Sequence, residues 1–327
     1  MIDIINKFCE NGYQCALITG DITERETPLK TEVFVKKIIS YNRTSEFNRL
    51  KSWTIGSLQI LLLILFRFRK WDLFIVSNPP TAPLATLFSR HKYSLFLFDI
   101  FPDALIEFNK VNQGSLIHKT WEWFNKKVYS RASNIFTLTE GMKEALTQYV
   151  KPDRIIVIPL WTNNSFLRPL PKHENFFIKE HKLDNKFVVL YSGNFGFAHH
   201  TDLLLDLAFK CTNDSVMFVI TGGGPAEKSI KQKMQFLGLK NCLILPWQDV
   251  NALPYSLSSA DLAIVTLSEN AAKLGIPSKV FNYMSVGNAV MCISGRDSEL
   301  WNLVHHYKIG RAFTADQVNE MIDYINE

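Results

Sequence analysis

The chain has 327 residues, of which 47% are hydrophobic, and it carries a formal net charge of +5. This length fits two domains of about 150 residues each, and the hydrophobic content supplies two cores and excludes a disordered chain. The five cysteines are scattered singly, without a CxxC pair or the spacing of a zinc site. They indicate reduced thiols rather than a disulfide framework.

The charge is distributed unevenly along the chain. Residues 1–165 carry a net charge of +6, whereas residues 166–327 carry −1. A basic first half indicates an anionic partner, such as a phosphate-bearing acceptor or an anionic membrane surface, although an ordinary solvated surface explains the same charge. Lys and Arg do not cluster with interleaved aromatic residues, so we expect no binding of nucleic acid.

The first half alternates predicted helices and strands. Helices are expected at 2–11, 47–69, from about 84, and at 121–131, and strands at 14–19, 32–39, 72–76, 94–98, 134–138 and 154–158. Short apolar strands separated by helices predict a doubly wound parallel sheet.

The start of the chain lacks the continuous apolar core of a signal peptide. Its most apolar stretch, residues 55–66, is shorter than the ~20 residues that span a bilayer. We expect a buried core helix here. The basic residues Arg67, Arg69 and Lys70 that follow leave a docking role at a membrane surface open.

Residues 159–171, rich in Pro and Asn, form a plausible connector to a second α/β series. Its strands are predicted in the segments FVVLYSG, MFVITGGG, CLILP, LAIVTL and AVMCIS. The sequence therefore predicts two Rossmann-like domains, 1–165 and 166–327.

Ligands of open parallel sheets bind beyond the carboxyl ends of the strands, and glycines follow two strands of the second half. These are Gly193 and Gly196 in SGNFG, then the run that includes Gly222 and Gly224. Glycine lets backbone N–H groups approach an anion, although a single such loop is more often only a tight turn. The run TGGGP does not match GxGxxG, and GxxxxGK[ST] is absent, so neither a nicotinamide fingerprint nor a P-loop is supported.

A helix is predicted to begin near Pro277, with Ser278 and Lys279 in its first turn. A helix N-terminus beside a lysine ammonium favours a diphosphate, although lysines also serve on solvated faces.

The order and spacing of these segments resemble glycosyltransferase family 4, whose members are retaining enzymes of GT-B fold. The matching segments lie within residues 73–313: SNPPTAP, FDIFPDAL, YSRASNIFTLTEGMKEAL, RIIVIPLWTN, VVLYSGNFGFAHHTDLLLDLA, FVITGGGP, SSADLAIVTL and GIPSKVFNYMSVGNAV. Within the family, the chain is most similar to the subgroup of O-antigen and capsule synthesis that includes fucosamine transferases. The resemblance implies two Rossmann-like domains that face a central cleft.

For the donor, the resemblance implies that the loop from Gly193 through Asn194 to Gly196 cradles the diphosphate, together with Ser278 and Lys279. Many relatives have Arg in place of Asn194 and Lys in place of His199, so this chain has less fixed positive charge there. His199 is either a hydrogen-bond donor or an exposed turn residue.

The nucleoside would lie beside two further residues of the second half. Asn282 stands where most relatives have a Glu that binds the ribose, and it retains one amide oxygen as an acceptor. Trp247 lies where relatives bind the base, and it is either a stacking platform for uracil or a core residue.

For the acceptor, Asp99 follows a predicted strand and would face the cleft as a candidate base, or else cap the next helix. Asp103 and Asn78 are further candidates on the acceptor side. The resemblance implies transfer from a UDP-sugar, without a bound metal, to a polyprenyl-diphosphate-linked or other saccharide acceptor. We expect a cytoplasmic protein, peripheral on the inner face of the membrane.

Two departures from the family pattern leave alternatives open. The first strand is missing, so the N-terminal sheet should lack a central strand, and the C-terminal helices that cross back in relatives do not follow residue 327. The alternatives are therefore a non-catalytic scaffold subunit that binds sugar nucleotides, or a nucleotide-sugar epimerase of the same fold.

Overall fold

The structure is a computed structural model that describes residues 1–22, 27–42, 44–107, 110–196, 201–268 and 275–327. Backbone packing divides the chain into two compact units, Met1–Pro159 and Leu160–Glu327. The division lies at the first residues of the connector, 159–171, that the sequence indicates.

The described strands of the first unit form two parallel sheets rather than one. One sheet pairs β1 with β2, and the other has the order β3-β4-β5-β6. The strands are β1 (Ala16–Thr19), β2 (Phe34–Lys37), β3 (Leu73–Val76), β4 (Tyr93–Phe96), β5 (Ile135–Thr137) and β6 (Ile155–Val157).

The described helices of the first unit are α1 (Ile2–Glu10), α2 (Glu46–Leu62), α3 (Asp103–Glu107), α4 (Leu116–Arg131) and α5 (Glu140–Leu146). Serine or threonine side chains cap three of them: Ser45 accepts from Asn48, Ser115 from His118, and Thr139 from Met142. Such caps satisfy N–H groups that have no partner inside the helix. Where a helix was predicted from about residue 84, the chain forms a 3₁₀ segment, Ala82–Phe88.

The second unit contains one parallel sheet of six described strands in the order β12-β11-β10-β7-β8-β9. They are β7 (Phe187–Asn194), β8 (Val216–Gly223), β9 (Cys242–Leu245), β10 (Leu262–Thr266), β11 (Ala289–Ile293) and β12 (Gly310–Phe313). The described α-helices are α6 (Phe176–Glu180), α7 (Thr201–Lys210), α8 (Glu227–Phe236), α9 (Leu253–Leu257), α10 (Lys279–Ser285), α11 (Glu299–Tyr307) and α12 (Val318–Asn326).

The core of the second unit lies on both faces of this sheet. Along β7, Val189 and Tyr191 belong to one buried cluster, and Val188 and Leu190 belong to the other. Successive side chains of a strand point to opposite faces, so a strand covered on both sides reads as a continuous apolar run. That is why FVVLY predicts a central parallel strand.

The prediction of a buried core helix at residues 55–66 was wrong. These residues belong to a longer helical segment, Glu46–Arg67, of 22 residues, and only 17% of its most apolar window is buried. The segment consists of α2 followed by a short π-helix, Leu63–Arg67. Apolar content alone does not decide which side of a helix the fold covers.

Candidate donor and acceptor sites

The carboxyl ends of β7 and β8 are paired through their glycines. Gly193 pairs with Gly222 in the parallel register, and Asn194 pairs with Gly223. A Cβ on Gly222 would collide with the carbonyl oxygen of Gly193, and Gly222 has a φ of 142°. A residue with a side chain therefore does not fit, and the two backbones come together closely at this end of the sheet.

The backbone that follows β7 is hydrogen-bonded to the end of β8 and to the residues just after it. The N–H of Phe195 donates to the carbonyl of Gly223 (2.9 Å), and the N–H of Ala226 donates to the carbonyl of Phe195 (3.0 Å). The Tyr191 hydroxyl donates to the carbonyl of Asn194 (2.9 Å), and Phe195 is fully buried. These contacts fix the backbone as far as Phe195, and the side chain of Asn194 is exposed.

Lys279 from α10 lies at this glycine-lined end. Its Nζ is 3.9 Å from the centre of the Tyr191 ring, and a Cβ on Gly193 would collide with it. The Nζ atom is withdrawn from solvent and has no hydrogen-bond partner among the described residues. Burial lowers the pKa of Lys279 to about 8, because desolvation penalises the charged form.

A buried ammonium without a hydrogen-bonded partner is costly, and the ring of Tyr191 offsets only part of that cost. A ligand anion would satisfy all three N–H groups at once. The structure thus brings together Gly193 and Lys279, two elements of the predicted donor site that are far apart in sequence.

Two tyrosines of this site were missed by the sequence analysis. Tyr191 is buried beneath the Lys279 ammonium, and burial raises its pKa to about 12. The hydroxyl of Tyr283 accepts a hydrogen bond from the N–H of Ser192 (2.9 Å) and so ties α10 to the end of β7. Both residues stand in apolar runs, where a tyrosine looks like core, so the sequence carries no separate signal for them.

Trp247 follows β9 and stands beside the glycine run. A Cβ on Gly223 would lie 2.9 Å from its Nε1, and 60% of Trp247 is exposed. The exposure excludes the alternative of a core tryptophan and leaves an aromatic face available for stacking. A side chain at Gly223 would push this ring away.

The remaining donor candidates have different positions. Ser278 is exposed and precedes α10, with its hydroxyl not used as a cap, and Asn282 is half-buried one turn later. A Cβ on Gly224 would lie 2.5 Å from the amide oxygen of Asn194, so this glycine is also required by close approach. His199 lies outside the described residues.

In the first unit, Asn78 and Asp99 follow the neighbouring strands β3 and β4. Ser77, which the sequence analysis did not single out, joins these two loops: its hydroxyl accepts from the N–H groups of Phe98 (3.0 Å) and Asp99 (3.3 Å). The side chain of Asp99 reaches the surface, and desolvation by the surrounding protein raises its pKa. No described contact makes Asp99 a helix cap, since α3 begins four residues later.

Asp103 has a different environment from Asp99. Its carboxylate accepts hydrogen bonds from the Tyr149 hydroxyl (2.7 Å) and the Gln148 amide (3.0 Å). These hydrogen bonds connect α3 to the segment after α5, so the carboxylate of Asp103 helps to hold these two segments together. Among the described residues, no group of three or more His, Cys, Asp or Glu side chains is placed to hold a metal ion.

Comparison with known families gives a match in the second unit. Residues 172–327 match the family model "Glycosyl transferases group 1". This range contains every predicted donor residue. The match supports a glycosyltransferase.

Two curated relatives carry related names. The chain is 24% identical to "Probable glycosyltransferase WbjE" of Pseudomonas aeruginosa over 304 residues, which is 88% of this chain and 75% of that protein. It is 25% identical to "Putative colanic acid biosynthesis glycosyl transferase WcaI" of Escherichia coli K12, over 55% of this chain and 45% of that protein.

Solved structures share the fold at low sequence identity. HepE of Anabaena in complex with UDP has a TM-score of 0.67 and 17% identity, over 90% of this chain and 76% of that chain. Sucrose-phosphate synthase of Thermosynechococcus elongatus has a TM-score of 0.72 and 12% identity, over 99% of this chain and 82% of that chain. The fold is GT-B, as the sequence predicted.

Proposed function

We propose that the protein transfers a sugar from a nucleoside diphosphate sugar, with UDP as the nucleotide, to an acceptor hydroxyl. One observation carries the proposal: the Lys279 ammonium is buried beside Gly193 without a hydrogen-bonded partner in the described part of the chain, in a unit that matches group 1 glycosyltransferases. A diphosphate supplies the negative charge that this ammonium lacks. HepE, which shares the fold, has been solved with UDP and with UDP-glucose.

The proposed donor roles follow from the geometry of the second unit. Lys279 and backbone N–H groups of the loop at residues 193–196, other than that of Phe195, which donates to Gly223, stabilise the charge that builds up on the leaving diphosphate. The exposed ring of Trp247 stacks on the uracil, and the Asn282 amide binds the ribose. Ser278 donates a hydroxyl hydrogen bond to a phosphate oxygen.

In the reaction, the bond between the sugar C1 and the diphosphate oxygen breaks, and a bond forms between C1 and the acceptor oxygen. We assign Asp99 as the group that receives or orients the acceptor proton, because its raised pKa brings it closer to neutral pH. Asn78 is proposed to orient the acceptor. Asp103 is engaged by Tyr149 and Gln148, so we give it no part in proton transfer.

The finer proposals rest on the family 4 resemblance and on the names of the relatives. They are retention of configuration, no requirement for a metal, and a polyprenyl-diphosphate-linked or other saccharide acceptor in O-antigen or capsule synthesis. The fucosamine-transferase subgroup remains the proposed assignment within the family. The name of WcaI, which refers to colanic acid biosynthesis, is consistent with a surface polysaccharide. We propose a cytoplasmic location with peripheral contact to the membrane.

Calorimetric titration tests the donor site. We expect UDP and a UDP-sugar to bind equally well with and without a chelator, and GDP to bind more weakly. Lys279→Ala should weaken UDP binding by roughly 1.5–3 kcal/mol, because it removes a charge-assisted contact. Lys210→Ala, at an exposed lysine of the same unit, is the matched control and should bind normally.

Absence of UDP binding to folded protein at millimolar concentration would refute the donor site. Binding without turnover on any lipid-linked saccharide would favour the scaffold alternative. Conversion of UDP-N-acetylglucosamine in the absence of an acceptor would favour the epimerase.

A further inference from the structure

The helical segment Glu46–Arg67, here called the α2 segment, presents a row of large apolar side chains to solvent. Exposure is 75% at Phe47, 62% at Leu50, 56% at Leu58, 46% at Leu62 and 75% at Phe66. Spacings of three, four and eight residues place these side chains along one side of a helix about 33 Å long. Several large apolar side chains exposed on one side of a helix are typical of a binding face.

On its covered side the segment packs on the protein through the buried Ile64 and through several small and polar residues. Ser52 and Gly56 are buried, and Gly56 lies against the side chain of Ile39. The Ser57 hydroxyl is 2.6 Å from that of Thr81, and the Gln59 side chain accepts from the N–H of Ile39 (2.8 Å).

An ordinary surface helix buries most of its large apolar side chains, whereas this segment leaves five of them exposed. The polar contacts of the inner face hold the segment on the first unit, so it does not need to leave the protein to use its apolar side. A surface-lying role therefore fits the packing better than a membrane-spanning role.

The charges around the stripe are almost all positive. No charged residue occurs from 52 to 66, while Lys51 precedes this stretch and Arg67, Arg69 and Lys70 follow it, all exposed. The acidic residue at the start, Glu46, is paired with Lys110. An apolar stripe with one cation among its first residues and three cations at its end matches an anionic lipid surface, where acyl chains receive the apolar side chains and headgroups receive the cations.

Charge also disfavours a second copy of the chain as the occupant. If two α2 segments paired antiparallel, Lys51 of one would approach the cluster at Arg67 of the other. If they paired in parallel, identical cations would meet. Both orientations place like charges together, which opposes association.

We propose that the outer face of the α2 segment docks the protein on an anionic membrane surface, with the segment lying in the plane of the interface. Such docking would bring the protein to a lipid-linked acceptor, and only this biological purpose rests on the proposed function. The docking itself requires neither nucleotide nor turnover.

Vesicle sedimentation of the full chain, without nucleotide, tests the proposal. We expect the protein to sediment with phosphatidylcholine vesicles that contain phosphatidylglycerol, and much less with phosphatidylcholine alone. The double variant Leu58→Glu/Leu62→Glu should lower the partition coefficient at least about tenfold, because it places carboxylates in the apolar stripe. Arg69→Glu/Lys70→Glu should lower it about tenfold or more on anionic vesicles only.

The matched control is Phe209→Glu/Phe236→Glu, which changes two aromatic residues of the second unit that are 59% and 89% exposed. It should bind vesicles like the wild type. All variants should keep the wild-type circular dichroism and UDP affinity, so that loss of docking is separated from loss of folding or of the donor site.

Two results would overturn the proposal. One is failure of the folded wild-type protein to bind anionic vesicles at low salt, even if UDP binds normally. The other is a dimer, detected by light scattering without vesicles, that the Leu58→Glu/Leu62→Glu change dissociates. That result would assign the stripe to a second copy of the chain.

Discussion

Lys279 shows how one side chain can be unfavourable for folding and useful for binding. Its Nζ is buried without a hydrogen-bond partner among the described residues, and desolvation lowers its pKa to about 8. The folded protein therefore carries a cost that an anionic ligand would remove. Such trade-offs between stability and activity are common at binding sites.

We expect Lys279→Met to stabilise the ligand-free protein. Below pH 8 the lysine is protonated in both the folded and the unfolded state, so the full cost of burying its charge is present. As the pH rises from about 8 towards the unfolded value of 10.5, the folded state releases its proton first and the cost falls. The gain from Lys279→Met should thus be on the order of 2 kcal/mol at pH 7 and smaller at pH 9.5.

Urea unfolding of wild type and variant at the two pH values measures this difference. Lys210→Met, at an exposed lysine, should change little at either pH. If Lys279→Met lowered the free energy of unfolding at pH 7, the ammonium would have a favourable partner in the free protein, and the electrostatic argument for the donor site would fail.

At the scale of elements, the paired ends of β7 and β8 require glycine for two separate reasons. Gly222 has a φ of 142°, and a Cβ there would also strike the backbone of Gly193 on the neighbouring strand. A strand backbone cannot move aside as a flexible side chain can. This region is therefore rigid where the proposed diphosphate lies.

We expect Gly222→Ala to lower the free energy of unfolding by roughly 3 kcal/mol or more, because conformational strain and the backbone collision add. Gly238→Ala is the matched control. Gly238 has a φ of 61°, but nothing lies within 4 Å of the position that a Cβ would occupy there, so only the conformational cost of about 1–2 kcal/mol should appear. Equal losses in the two variants, measured by urea unfolding, would show that the collision is relieved.

At the scale of the whole molecule, the candidate groups are divided between the two units. Lys279 and Trp247 are in Leu160–Glu327, and Asp99 is in Met1–Pro159. If the first unit serves the acceptor and the second the donor, then substitutions in each should affect different measurements.

Asp99→Asn should lower turnover by about 100-fold or more while UDP affinity stays unchanged, because the amide can no longer accept a proton. Asp153→Asn, at an exposed carboxylate of the same unit, is the control and should leave turnover unchanged. A normal transfer rate in Asp99→Asn, assayed with a lipid-linked saccharide, would remove Asp99 from the reaction.

The α2 segment shows where sequence patterns stop being informative. Its apolar run predicts a helix, and the helix is there, but the same run predicts burial, and Phe47 and Phe66 are each 75% exposed. The covered face contains Ser52 and Gly56, which a hydrophobicity pattern would assign to the outside. Only the packing against neighbouring segments shows which face of the helix the protein covers.

The sequence by itself determined the strands of the second unit and the glycines that follow them. A continuous apolar strand such as β7 must be covered on both faces, and glycine is needed where backbones meet, so local chemistry suffices for both. The tertiary structure alone decided that Lys279 lies over Tyr191 beside Gly193 and that Trp247 is exposed. Those facts depend on contacts between residues far apart in the chain, and no local pattern encodes which distant group a side chain will meet.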